Sequence, residues 1–535
     1  MDGTAAAQGE ATRYVLFACL ILVALGIVGL VSAVLAQYFA AKAAVGFSKE
    51  LRSDLFKKVQ SLSYYEIDNL GTSAMITRMS SDVNQVQTGV NMVLRLFMRS
   101  PFIVFGALVM GFVINITAGW VFAVTIAVLF AIVFAIMVIT IPMYKKSQGH
   151  LDKVTASTRE TLVGSRVVRA FCKENEEIAA FDVRNAKLTK SHKAVGAISA
   201  LMNPLTYAVI NIGIIVLIYV GALKVDGGVL TQGQVIALYN YMSQILIELI
   251  KLANLIITVT KCFACAGRVN EILKMQPSLI HGEKAEVSGA PFISFNNVGM
   301  SYSCGSMLAL SGISFTANEG ETIGIIGGTG SGKSTLINLI PHFYDASEGE
   351  ILIGGVNVNA IGDEALRNEC GIVPQRAVLF KGTIRENIKW GNEDATDEEI
   401  KAALASACAS DVVASKADGL DEMVEQGGKN FSGGQRQRLT IARALVKKPK
   451  ILILDDSASA LDYATDAKLR KNLRELDYKP TVFLVSQRTS SVRHADKILV
   501  LDGGKLVGCG THDELLKTCD VYREIDNSQY SGEGA

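Results

Sequence analysis

The run ETIGIIG at 321–327 leads into Gly327-Gly-Thr-Gly-Ser-Gly332-Lys333-Ser334-Thr335 and then into the apolar stretch LINLI. That order of strand, glycine loop and helix is the context a phosphate-binding loop requires. Gly327, Gly330 and Gly332 let backbone N–H groups converge on an anion at a helix start, and Thr329, Ser331 and Thr335 complete the loop. Lys333 adds a point charge, and the Ser334 hydroxyl offers a ligand to Mg²⁺. Further along, ILIL at 451–454 has the unbroken apolar character of a strand buried on both sheet faces, and it ends in Asp455. A carboxylate is thereby delivered to the carboxyl edge of the sheet, where it can hold magnesium. These residues specify a phosphate-loop nucleotide-binding α/β domain with a parallel-sheet core, a description that many families share.

The elements that carry this loop occupy only part of the chain. At 535 residues, with 50% hydrophobic and 19% charged residues, the protein is too long for one domain and too apolar for an ordinary soluble one. A formal net charge of +1 gives no broad basic field, so nucleic acid is not expected as a partner. Apolar runs near 14–40, 97–118, 119–142, 197–223 and 234–262 are each long enough to cross a hydrocarbon core of about 30 Å as a helix. Lys42, Lys49, Arg52, Lys57 and Lys58 follow the first run, Lys145 and Lys146 the third, and Lys261 and Arg268 end or follow the last. The positive-inside rule then makes these basic segments cytoplasmic and places everything after residue 280 in the cytoplasm, where ATP is. The first run is too long for the apolar region of a secretory signal, and its basic residues come after it, so it reads as a span. Insertions at roughly 41–96 and 143–196 mix apolar periodicity with charge, as helices continuing beyond the bilayer would. The expected organisation is an all-α transmembrane bundle over 1–280, a linker at 281–290 marked by Gly282 and Gly289, the nucleotide-binding domain at 291–527, and a disordered tail at 528–535. Nine cysteines show no paired spacing except Cys262-Phe-Ala-Cys265, which fits small apolar residues on a helix better than a metal site.

What narrows the family is FSGGQRQRLTIARAL, Phe431 to Leu445, together with GIVPQ ending at Gln375 and SALD at 459–462. In this order the motifs resemble an ATP-binding cassette transporter, from about Phe292 to about Asp526. The resemblance implies a helical signature subdomain, Tyr302 stacking on adenine, Gln375 sensing magnesium and the membrane domain, and Glu425 at the interface with intracellular loops. It also implies that Phe431, Ser432, Gly433, Gly434 and Gln435 cap ATP bound to an opposite subunit, with a helix starting near Gly434. Members of the family usually have Glu where Asp456 stands and His where Gln487 stands. A carboxylate one methylene shorter holds the attacking water differently, and glutamine cannot take up a positive charge. His494 does not substitute, because ADKILVLDGG places Gln487 at the histidine position. The expectation is a site that binds ATP and Mg²⁺ and turns over slowly, paired with a second half-transporter whose catalytic Glu and His are intact.

The segment from Leu51, LRSDLFKKVQSLSYYEIDNL, and that from Thr158, TRETLVGSRVVRAFCKENEE, resemble the two intracellular loops of exporters in this family. Short transverse helices within them would dock on the cassettes. The resemblance also implies six spans per chain, and this sequence starts at what matches the second, so a missing first span is expected. In the last span Glu248 and Lys251 lie three apart on one helical face. Charges in the membrane are costly unless paired or facing a cavity, which leaves substrate contact on one side and a structural ion pair or a position beyond the bilayer on the other as equal readings. The leading function is an exporter subunit for drugs, lipids or peptides in a bacterial inner membrane. A slow homodimer and an ATP-gated, channel-like protein are the alternatives, and five spans exclude the soluble cassette ATPases that act on DNA.

Overall fold

The computed structural model describes residues 2–279, 282, 292–302 and 308–530. Apart from residue 282, the expected linker at 281–290 lies outside the described residues, as do residues 531–535 of the tail. Two compact units emerge: residues 1–60 with 73–275, and residues 61–72 with 276–535.

The first unit is helical. Among the described residues, five segments are long and apolar enough to cross a membrane: Thr12–Gln60, Thr72–Ile114, Ile116–Val163, Glu174–Asp226 and Gln232–Leu252. The helix Ile116–Val163 has 48 residues, about 72 Å at 1.5 Å per residue, so it overshoots a 30 Å hydrocarbon core. The turn before it is short because Asn115 caps the helix, accepting from the Thr117 N–H at 2.9 Å. At the next hairpin, Thr231 and Gln234 form a reciprocal capping box at the start of Gln232–Lys274, which satisfies donors that the helix leaves unpaired. Phe122, Leu129, Ile210, Leu217, Leu238, Met242 and Ile245 make the packed interior.

The second span is not a uniform helix. Arg78–Asp82 and Val93–Phe97 are π-helical, and at the first of these Asp82 turns toward Arg268. The guanidinium donates through Nε at 2.8 Å and Nη2 at 2.6 Å to the two carboxylate oxygens, a bidentate pairing that fixes both position and angle. Cys265 lies on the same helix and its sulfur accepts from Arg268 at 3.3 Å, while Cys262 fills the space that the absent side chain of Gly89 leaves. No group of three or more His, Cys, Asp or Glu among the described residues could hold a metal ion.

In the second unit, a four-stranded antiparallel sheet packs on one face of a six-stranded sheet, and a two-stranded ribbon joins the apolar cluster on the other face. The larger sheet runs, edge to edge, Lys505–Gly510, Lys497–Asp502, Thr322–Gly327, Thr481–Val485, Ile451–Asp455 and Cys370–Val373, parallel except for its first strand. The apolar runs are central strands because both their faces are covered. Ile451, Leu452, Ile453 and Leu454 are buried throughout, as is every residue of Thr481–Val485, the pattern of a parallel sheet with helices on both sides. Asp397–Ser406 and Gly433–Leu445 belong to the expected helical subdomain and pack through Ile400, Leu404, Leu439 and Ile441.

Residues 61–72 of the first long insertion belong to this unit. The short helix Tyr64–Leu70 is capped by Ser63 and Glu66. Tyr64 packs on Phe343 with ring centroids 4.3 Å apart, and the Tyr344 hydroxyl donates to Asp68 at 2.5 Å. At the other end, residues 528–530 are not a disordered tail. They continue the helix Asp520–Tyr530, whose Tyr522 is fully buried.

Candidate functional site

Parallel register brings the chemistry to one edge. Val485 stands beside both Asp455 and Ile325, and Leu501 beside Gly327, so the loops leaving these strands open on the same side. The phosphate loop turns through Gly330 and Gly332, at φ 81° and 95°, a region that residues with a Cβ avoid. The helix Lys333–Leu339 begins at once. Lys333 is buried, and its ammonium donates to the carbonyls of Gly327 at 2.8 Å and Gly328 at 2.6 Å. Burial lowers its pKa, against the opposing charges of Asp456 and Asp455. Gly328, Thr329, Gly330 and Ser334 are exposed, while Ser331 and Thr335 are buried beneath them.

Asp455 closes its strand and accepts from the Ser334 hydroxyl at 3.4 Å. A hydroxyl and a carboxylate are hard oxygen donors of the kind that Mg²⁺ prefers. The strand stops there, and Asp456 leaves it in the left-handed region at φ 45°, its N–H donating to the Val485 carbonyl at 3.1 Å. Burial pushes both carboxyls above the usual range, opposed at Asp455 by the Ser334 hydrogen bond and at Asp456 by one from Gln375. Gln375 and Asp456 are thus brought together. Gln487 sits beyond the end of its strand, exposed in the turn that follows Ser486. Arg488, which the sequence reading passed over, is close enough for its charge to favour ionised Asp456.

Tyr302 is 40% exposed, with its hydroxyl 2.9 Å from that of Thr335 and its ring edge-on to Tyr344. The ring therefore lies over the start of the phosphate-loop helix. The signature helix starts one residue earlier than expected, at Gly433, with Ser432 as its cap. The Ser432 hydroxyl accepts from the Gln435 N–H at 3.2 Å, and the Gln435 side chain accepts from the Ser432 N–H at 2.9 Å. Phe431 is buried under the Lys416 ammonium, 4.5 Å from the ring centre. A Cβ on Gly434 would approach the Ala460 carbonyl to 3.0 Å, so a larger residue is crowded there. Ser432 and Gly433 are exposed.

Behind the phosphate-loop helix, His342 is wholly buried between Asp345, 2.8 Å from Nε2, and Asp363, 3.1 Å from Nδ1. Its charged form is desolvated, yet the two carboxylates carry its pKa above the ordinary value. In the membrane unit, Glu248 is 2% exposed and accepts from Ser100 at 2.6 Å and from Lys251 at 2.8 Å. Those two partners answer its burial cost within the protein.

Comparison with known proteins agrees with this division. Residues 3–249 match the family model of the ABC transporter transmembrane region, and residues 310–459 match the model described as ABC transporter. The chain is 35% identical over 517 residues to an uncharacterized ABC transporter ATP-binding protein of Mycobacterium tuberculosis, covering 95% of this chain and 88% of that protein. It is 33% identical over 486 residues to the ATP-dependent lipid A-core flippase of Desulfotalea psychrophila, covering 90% and 84%. A solved bacterial Atm1-family ABC exporter with ATP bound aligns with a TM-score of 0.77 at 25% identity, over 92% of this chain and 86% of that one. With both halves matched and relatives covered almost end to end, the chain belongs to the ABC transporter family as an exporter half-transporter, a multi-pass membrane transport ATPase with a cytoplasmic cassette.

Proposed function

We propose that this half-transporter works in a heterodimeric exporter, holding ATP and Mg²⁺ at its own phosphate loop with little turnover while completing the hydrolytic site of its partner. The observation that carries this reading is the pairing of an intact, capped signature turn at Ser432–Gln435 with Asp456 and Gln487 in the catalytic positions. Catalysis of phosphoryl transfer is mostly positioning and charge stabilisation. The phosphate loop, Lys333, Ser334 and Asp455 retain what binding needs, whereas a shortened carboxylate and an uncharged amide weaken what hydrolysis needs. Magnesium, when bound, neutralises phosphate charge; Ser334, Asp455 and Gln375 are the residues of this chain that would hold it. The partner is a second ABC half with Glu and His at the corresponding positions.

The cargo is a lipid, drug or peptide moved across a bacterial inner membrane. Support for a lipid comes from the flippase relative. For Glu248, the contacts with Ser100 and Lys251 support a structural ion pair over substrate contact. The test is to purify the full chain alone and measure both nucleotide binding and hydrolysis. Saturable binding of an ATP analogue with little phosphate release is expected. Turnover by the chain alone at the rate of the assembled pair would refute asymmetry.

A further inference from the structure

The loop that carries Gln487 is held from an unexpected direction. Between the strand Thr481–Val485 and the short helix Thr489–Val492, the backbone has three residues in which to turn. The Ser486 N–H donates to the Ile325 carbonyl at 3.1 Å, and the Arg488 N–H donates to the Ser486 hydroxyl at 3.0 Å. The Arg488 carbonyl accepts from the Ser491 N–H at 3.1 Å, and three further bonds come from Gln529. Its Nε2 donates to the Gln487 carbonyl at 2.8 Å, while its Oε1 accepts from the Thr489 N–H at 2.9 Å and from the Thr489 hydroxyl at 3.2 Å. One primary amide thus bonds the backbone on both sides of Arg488, as a neighbouring strand would.

The helix that brings Gln529 there is well anchored. Tyr522 is fully buried, with its hydroxyl 2.7 Å from Nδ1 of His512, and Ile525 packs against the same core. Positions 522, 525 and 529 fall on one helical face, so an anchored aromatic two turns away fixes where the amide stands. A loop residue held by side-chain bonds keeps its geometry only while those bonds persist, and an error near 1 Å at a phosphate contact is costly.

We propose that Gln529 is a positioning residue for the nucleotide site, fixing the 487–489 loop so that Gln487 and Arg488 are presented to the terminal phosphate of ATP. This rests on placing Gln487 at that phosphate. It makes a contribution that neither the phosphate loop nor the signature supplies: discrimination between ATP and ADP, transmitted from the end of the cassette.

The test uses the full-length chain in lipid nanodiscs, a fluorescent ATP analogue and the matching ADP analogue, each with Mg²⁺, and stopped-flow release. Gln529→Ala is expected to speed release of the ATP analogue on the order of tenfold, leaving release of the ADP analogue unchanged, while the loss of its bonds to buried Thr489 lowers the cassette's thermal midpoint by a few degrees. Gln487→Ala is expected to give the same ATP-selective pattern. If Gln487→Ala is selective and Gln529→Ala is not, the inference is overturned while the placement of Gln487 stands. If neither is selective, the placement fails and the inference falls with it. Faster release of both analogues assigns Gln529 a structural role only. Gln529→Glu preserves side-chain size and the acceptor for Thr489 but loses the donor to Gln487; full ATP retention in that variant would also overturn the proposal.

Discussion

Restoring the family's residues in one variant, Asp456→Glu with Gln487→His, tests whether these two positions limit hydrolysis. Asp456 turns off its strand at φ 45°, a conformation that Asp tolerates better than Glu, so the longer residue costs about 1 kcal/mol of cassette stability. Against that, one added methylene moves the carboxylate roughly 1.5 Å outward. Displacements near 1 Å are worth about 100-fold in rate, and a working general base about 10² to 10⁴. Histidine at 487 adds a group that can carry charge at the phosphate. The expected gain is about 100-fold in kcat, or about 2.7 kcal/mol of transition-state stabilisation. KM for ATP should change little, because the loop from Gly327 to Thr335 that binds the ground state is untouched. Steady-state phosphate release by the full-length chain in nanodiscs, with saturating Mg²⁺ and ATP, reads both constants. An unchanged kcat in a folded double variant would show that neither residue limits turnover, and the asymmetric reading would lose its basis.

Ser432→Ala removes the cap of the signature helix and should lower cassette stability by about 1 kcal/mol, while phosphate release by the assembled pair falls far more than ATP binding to this chain. His342 has a folded-state pKa raised above 6.5, so its stabilisation is complete below about that pH and is lost as pH rises through the folded value; the melting temperature should therefore decline above pH 6.5, and His342→Gln should flatten that part of the profile. Tyr344→Phe deletes the hydrogen bond to Asp68 and should cost roughly 1.5 to 3 kcal/mol, seen as faster proteolysis around residues 61–72 and as looser coupling of transport to ATP use. Arg268→Ala leaves the buried Asp82 carboxylate unpaired and should destabilise the helical unit by a similar roughly 1.5 to 3 kcal/mol; full stability in a detergent melt would show that the pair is dispensable.

The phosphate loop and Asp455 were legible because their chemistry forces sequence: glycine where φ is positive, and an apolar strand ending in a carboxylate. The signature turn was legible through its resemblance to the transporter cassette, and the cap at Ser432 moved the helix start by only one residue. The spans were legible from length and hydropathy. Other features depend on partners distant in the chain. Ser100 meets Glu248 across 148 positions and Arg268 meets Asp82 across 186, and no local pattern announces either pairing. The π-helical segments have no composition of their own. Gln529 lay in a polar stretch that reads as a tail, and only the burial of Tyr522 shows why that stretch is ordered.

Because residues 61–72 fold with the cassette, the backbone passes between the two bodies three times: at 60–61, at 72–73 and at 275–276. A single nick within 281–290 would therefore not set the cassette free. The fragment downstream of the cut would stay gripped through Tyr64, Asp68 and their aromatic partners, and it should co-purify with the membrane portion until detergent or denaturant strips that small helix away.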